Sequence, residues 1–339
     1  MPKPRPSSTP KMVDVARAAG VSPALVSIVM RGVGGASDET RARVMAIADE
    51  LGYVPDRRAQ QLRQSASRLI GVTFEVRQAF HGDLVEHLYP AAVGHGYDII
   101  ISAVTPRRSE HEALRTVLRE RCEAVVLLGS RMSDFQLTEI ATQLPAVVVA
   151  RASAAEGVVS VRSDDFAGAG LAVEHLVSLG HRKIVHIDGF DAPGSEDRRR
   201  GVLDRGRRLG VHVEIAVGGS TEASGAEAMH RLLSGDRLPS GVIAFNDRCA
   251  AGVLDTLVRS GIDVPGEISV VGYDDSRLAD LSYLQLTTVA QNMSAMSQFA
   301  IDSALSMVSG GTPDTVLLDP RLVVRSTTGP FRGHHPSRR

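Results

Sequence analysis

Residues 11–32, KMVDVARAAGVSPALVSIVMRG, have room for two short helices joined by one tight turn. Ala16, Gly20 and Val26 stand where such a unit needs them: a small residue at a close helix crossing, a glycine able to take positive φ in the turn, and an apolar residue locking the second helix. Ser22 reads as the cap of the second helix and Pro23 as its first residue. Along that helix Val26, Val29 and Met30 form an i, i+3, i+4 stripe for burial, which leaves Ala24, Ser27, Ile28 and Arg31 on the outer face. A helix-turn-helix exists mainly to carry its second helix into the major groove of DNA, so that outer face is the candidate reading surface. The plainer alternative is a helical hairpin inside a larger domain.

The next segment favours the first reading. Ser37 caps a predicted third helix, with Asp38 and Glu39 in its first turn, Val44, Ile47, Ala48 and Leu51 on one face, and Gly52 just past its end. Asp56 then stands ready to cap a short helix through Arg63 before a polar stretch hands over to a strand at Leu69. Residues 1–63 hold ten Lys/Arg against six Asp/Glu, a balance of +4, and since the whole chain is −1 the remainder is −5. A basic head on an acidic body suits phosphate binding by the head alone.

The order VARAAGVS, ETRARV, LGYVP, AQQL, IGV resembles the lactose repressor/galactose repressor family of bacterial transcription regulators. The resemblance implies that Ser22, Pro23, Ala24, Ser27, Ile28 and Arg31 face operator DNA. It also implies that the segment 56–63 is a minor-groove helix in which Leu62 wedges between the central base pairs, with Arg57 and Gln61 beside it on the DNA. The chain departs from the family pattern at two positions. Ile28 stands where a polar residue, commonly Arg, is usual, and Arg31 where Asn is usual, so the operator half-site is expected to be atypical.

A chain of 339 residues is too long for one ordinary core. From Leu69 onward, Val/Ile/Leu runs of strand length (RLIGVTF, YDIIISAV, EAVVLLG, PAVVVA, GVVSVRS, KIVHIDG, VEIAV, GVIAFND, ISVVGYD) alternate with amphipathic helical segments. Such runs imply strands covered on both faces, hence parallel, helix-flanked sheets, and their number suggests two lobes. The stretches SDDFAGAGLAVEHLVSLGHRKIVHIDG, VPGEISVVGYDDS and LVVRSTTG resemble the effector-binding core of the same family, itself similar to periplasmic sugar-binding proteins. The expected organisation is an arm (1–10), an all-α helix-turn-helix domain (11–55), a hinge and linker (56–68), a two-lobed α/β core (69–329) and a flexible tail (330–339). The resemblance implies a chain that crosses between lobes three times, with about 69–162 and 291–320 in one lobe and 163–290 and 321–329 in the other.

In open parallel sheets ligands sit beyond the carboxyl ends of the strands. Here those ends are polar: Asp164 and Asp165, Asp188, Asn246 and Asp247, Asp274 and Asp275. Converging carboxylates and an amide suit a polyhydroxylated ligand, although Asp165, Asp247 and Asp275 serve equally well as helix caps. The resemblance implies Arg198, Asn246 and Asp274, with Gln291 at a lobe crossing, as effector contacts; Asp164 joins them as a strand-end carboxylate. Phe74, Phe80, Phe190 and Phe245 are ring platforms or core, with Phe74 and Phe245 taken as effector-binding, and Arg77 and His81 read as loop residues.

The first ten residues lack an apolar core and nothing reads as a membrane span, so a cytoplasmic protein is expected. Cys122 and Cys249 make no disulfide framework and too few thiols for a metal site, and no cofactor or metal is expected. There is no P-loop, GxSxG or HExxH, and no nucleophile with an adjacent base, so an enzyme is not expected. The reading is a DNA-binding regulator, a repressor, working as a homodimer on a palindromic operator and controlled by a small sugar-like effector. A sugar-binding protein without a gene-regulatory role is the alternative, and the headpiece argues against it. The tail PFRGHHPSRR lacks a leucine heptad, so no tetramerisation helix is expected.

Overall fold

The computed structural model describes residues 10–30, 34–53, 66–235 and 237–332. The chain divides into two compact units, 1–67 and 68–339.

In the first unit, α1 (Met12–Ala19), α2 (Pro23–Met30) and α3 (Asp38–Leu51) enclose a small core of Val15, Ala16, Ala19, Val26, Val29, Val44 and Ala48. Gly20 ends α1 at φ +66, a conformation that costs glycine nothing, and the chain turns by 104° into α2. Ser22 Oγ accepts from Leu25 N–H at 3.2 Å and Ser37 Oγ from Thr40 N–H at 3.3 Å, so both serines cap as their positions predict. Leu51 differs from expectation: it is exposed, whereas Val44 and Ala48 are buried and Ile47 packs half-buried against the same core.

The second unit holds two six-stranded sheets, ordered β11-β5-β4-β3-β1-β2 and β12-β10-β9-β8-β6-β7. The first contains β1 (Leu69–Glu75), β2 (Asp98–Val104), β3 (Ala124–Leu128), β4 (Ala146–Val149), β5 (Val158–Ser163) and β11 (Val316–Leu318). The second contains β6 (Ile184–Asp188), β7 (Val213–Val217), β8 (Gly241–Ala244), β9 (Ser269–Asp274), β10 (Thr287–Ala290) and β12 (Arg321–Val323). Successive residues of β3 show why the strands read as continuous apolar runs. Ala124, Val126 and Leu128 pack with α4 (Ala79–Gly94) and α11 (Met293–Val308), whereas Val125 and Leu127 pack on the opposite face with α5 (Glu110–Arg119) and α6 (Asp134–Ala141). The second sheet is sandwiched likewise between α7 (Asp165–Ser178) with α8 (Ser195–Arg208) and α9 (Glu222–Leu233) with α10 (Asp247–Arg259).

Three strands went unread as strands: β10, β11 and β12. The last two are three-residue edge segments, too short for a period, and β10 buries Thr287 and Thr288, whose hydroxyls are hydrogen-bonded. One correction concerns the sheets, for β12 runs antiparallel to β10. The chain passes between sheets after β5, after β10 and after β11, which sets the carboxyl ends of both sheets face to face across a cleft.

Candidate functional site: a headpiece face and an interlobe cleft

On α2, Ser22, Pro23 and Ala24 are exposed and Ser27 and Ile28 half-buried, while Val26 and Val29 face inward. Arg31, Arg57, Gln61 and Leu62 lie outside the described residues.

In the second unit an inner cavity of about 60 Å³ lies between the lobes. The first lobe lines it with Glu75, Gln78, Phe80, His81 and Arg131, the second with Arg198, Ser220, Phe245, Asn246 and Asp274, and Gln291 closes it at a crossing. It opens towards a basin of about 840 Å³ that shares Arg131, Ala192 and Pro193 with it and adds Phe190 and Arg199.

Arg198 organises the second-lobe wall. Its Nε donates to Asp165 at 2.8 Å and its Nη1 to the Phe245 carbonyl at 2.6 Å, and its Nη2 stands 3.6 Å from Asp274 Oδ1. The guanidinium also lies over the rings of Tyr273 and Phe245, at 3.6 and 4.6 Å from their centroids. Burial alone would lower its basicity, but Asp165 and Asp274 more than offset that, so the group is held firmly cationic. Asp274 ends β9 at φ +110, followed by Asp275 at φ +54, a left-handed pair that non-glycine residues adopt only when tied down. The ties are present: Gln291 Nε2 donates to Asp274 at 2.8 Å and Arg325 Nη2 to Asp275 at 2.7 Å.

Behind them Asp247 is buried. It accepts from Ser276 N–H at 2.8 Å, Ser276 Oγ at 2.9 Å and Thr288 Oγ1 at 2.6 Å. Burial pushes the Asp247 and Asp274 carboxyls up, and the charge of Asp274 adds to the shift at Asp247.

Arg198, Phe245, Asn246, Asp274 and Gln291 thus come together in the cleft. Asn246 also caps α10, accepting from Cys249 N–H at 2.9 Å while its amide donates to the Ser220 carbonyl at 3.3 Å. Two expected residues are elsewhere. Asp164 is spent capping α7 through Ala167 N–H at 2.9 Å, and Phe74 packs on the first lobe's core. The capping positions are therefore Asp164 and Asn246. Asp165 and Asp247, one residue inside their helices, hold buried partners instead, and Asp275 pairs with Arg325. Asp188 holds Arg199 at 2.5 Å and also Ser195, away from the inner cavity.

His81 is a further correction. It sits buried in α4, where Glu75 N–H donates to its Nδ1 at 3.2 Å, so the proton is on Nε2. Burial, then Arg131, holds its pKa down at about 4, leaving a neutral ring. That ring abuts Gly129, where a Cβ would fall 2.5 Å from Nε2. Phe80 lines the inner cavity, whereas Phe190 stands exposed at the basin with φ +60. Glu75, Gln78, Arg131 and Ser220 were not foreseen. The carboxyl-end rule, applied to the first-lobe strands as well, would have found Glu75 and Arg131.

A helix-turn-helix unit in the same chain as a two-lobed cleft defines a DNA-binding regulator with a ligand-binding domain. Residues 11–56 match the model of the bacterial regulatory proteins of the lacI family, and 173–328 match a periplasmic binding protein-like domain. The chain is 32% identical to the HTH-type transcriptional regulator GalR of Escherichia coli over 334 residues, 95% of this chain and 97% of GalR. Among solved structures, a LacI transcriptional regulator from a Rhodococcus species is 54% identical at a TM-score of 0.76, over 77% of this chain and 98% of that one. A lac repressor dimer bound to operator and the anti-inducer ONPF is 28% identical at 0.78, over 95% and 100%. The regulator CelR in complex with cellobiose is 27% identical at 0.69, over 94% and 99%. The chain belongs to the lacI family of bacterial regulatory proteins. It is a DNA-binding transcriptional regulator with a helix-turn-helix domain and a ligand-binding core. Among the described residues no single helix is long and apolar enough to cross a membrane.

Proposed function

We propose that this regulator is a cytoplasmic repressor that binds a palindromic operator as a homodimer and that its interlobe cleft takes a sugar or sugar derivative as effector. One observation carries the ligand class: Arg198, Asn246, Asp274 and Gln291 converge on a cavity flanked by Phe80 and Phe245. A sugar ring has apolar faces and a rim of hydroxyls that both donate and accept, and this wall offers rings, a fixed cation, carboxylates and amides. CelR, of the same architecture, is solved with cellobiose.

The position of the cavity supports control by the ligand. Its walls come from both lobes, and it opens into the larger basin, so a bound sugar touches both lobes at once. A ligand that binds one lobe angle better than another shifts the population towards it. On the DNA side, α2 presents Ser22, Pro23, Ala24, Ser27 and Ile28, Arg31 follows in sequence, and Leu62 with Arg57 and Gln61 is assigned to the minor groove.

A thermal-shift panel of sugars and nucleosides tests the ligand class, because a saturating ligand raises apparent stability by mass action. A sugar is expected to raise Tm in wild type and to fail in Asp274→Asn. A shift produced only by nucleosides, or a sugar shift undiminished in Asp274→Asn, would contradict it.

A further inference from the structure

Outside the cavity several polar contacts join the lobes, among them Arg162 Nη1 on β5 to Asp197 on α8 at 3.4 Å, and the one with the most hydrogen bonds is at Asp83. Asp83, on α4 of the first lobe, accepts from the backbone N–H of Arg277 at 3.1 Å and from its Nε at 2.5 Å, and Arg277 Nη2 reaches Glu86 at 3.0 Å. Arg277 belongs to the second lobe, two residues before Ala279 enters its core. The Asp83 side chain is 9% exposed and takes two hydrogen bonds, one of them from backbone, whereas the Arg277 and Glu86 side chains are 65% and 74% exposed, so the fixed part of the contact is the one at Asp83. By contrast Arg131–Asp191, the ion pair across the basin, is a single 3.1 Å contact with both side chains about half exposed or more, a type worth little. Gln78 also reaches Ser220, at 3.3 Å, but both line the cavity and belong to the site itself.

The position of the clamp gives it a role. Four successive residues run from the cavity to Asp83, and each is anchored by its side chain or its N–H: Asp274 by Gln291, Asp275 by Arg325, Ser276 by Asp247, and Arg277 by Asp83. On the other side, the helix that carries Asp83 also carries Phe80 and His81 into the opposite cavity wall. The clamp therefore ties together two segments that line opposite walls of the cavity.

We propose that Asp83 and Arg277 form the interlobe pivot of this protein: the pair sets the lobe angle of the empty cleft and is the positioning contact through which a ligand on Asp274 changes it. Only the second half rests on the cleft being the effector site. The first half is tested without effector or DNA.

The test is the distance distribution between spin labels on Glu139→Cys and Glu227→Cys, one on each lobe, in the full-length protein; both sites are exposed and the native Cys122 and Cys249 are buried. The clamped protein should give a narrow distribution. Arg277→Gln and Asp83→Asn should each shift it to longer distance and broaden it, the double variant should add nothing further, and Arg277→Lys should fall between. If a variant fails to fold, raising the salt concentration on the clamped protein is the parallel measurement and should shift the distribution the same way. Unchanged distributions in folded Arg277→Gln and Asp83→Asn, or in high salt where neither folds, would overturn the pivot. A normal ligand response in the effector assay with a shifted empty-state distance would refute the coupling alone.

Discussion

The guanidinium carbon of Arg198 lies over the ring of Tyr273, 3.6 Å from its centroid, while its Nε holds Asp165 at 2.8 Å. With Asp274 3.6 Å from its Nη2, these contacts lock one cation between an aromatic floor and two carboxylates. Arg198→Ala would leave Asp165 and Asp274 buried without their counter-ion, and breaking a buried pair in this way costs about 3–5 kcal/mol. Urea denaturation should show that loss. A variant as stable as wild type would mean that the carboxylates are neutral without Arg198.

Acid should weaken the core through its histidines. His81 and His186 are buried, and burial holds each pKa down at about 4 against an ordinary 6.5. A depressed histidine contributes stability that is present above about 6.5 and lost as pH falls towards 4, up to roughly 3 kcal/mol each. Asp247 and Asp274, whose pKa values are raised, act oppositely: their contribution is present in acid and lost as pH rises. The difference between wild type and His186→Gln removes that opposing trend. The gap in unfolding free energy should be widest at neutral pH and close as pH falls below 6.5. A pH-independent gap would show that His186 does not titrate on unfolding.

Much of this was legible in the sequence where chemistry is local. Ser22, Gly20 and Ser37 do what their positions imply, and both-face burial of β3 follows from its unbroken apolar run. The cleft was read from one side only. Asp274 and Asn246 lie at strand ends of the second lobe, and Glu75, the last residue of β1, answers to the same rule in the first, but Gln78 and Ser220 stand in loops beyond the strands and carry no such mark. In SDDF and FNDR, adjacent polar residues offer two candidate caps each, and the choice is made by what lies behind the helix: Arg198 for Asp165, Ser276 and Thr288 for Asp247. Periodicity does not see that.

The reading helix should give an atypical operator. Pro23, Ala24 and Ile28 have no side-chain donors, and the contact open to them is the thymine methyl. Arg31, outside the described residues, is the long donor of this stretch. If it reads a guanine, Arg31→Ala should cost about 1–3 kcal/mol and relax preference at one position per half-site. If it holds a phosphate, all sequences should weaken alike and the salt slope should fall by about one. Selection from random DNA that recovers the family's common half-site, bound normally by Arg31→Ala, would contradict the assignment.

The central claim is that occupancy of the cleft around Asp274 and Arg198 controls the grip on DNA. It is tested most directly by operator binding, followed as fluorescence anisotropy, with the sugar that stabilises the protein titrated into wild type and Asp274→Asn side by side. Asp274→Asn keeps an acceptor for Gln291, so the fold and basal DNA affinity should persist. The account predicts that the sugar changes operator Kd by about 5- to 150-fold in wild type, the usual range of allosteric coupling, and leaves Asp274→Asn unmoved. An operator Kd indifferent to saturating sugar in wild type, or one that changes equally in both proteins, would contradict it.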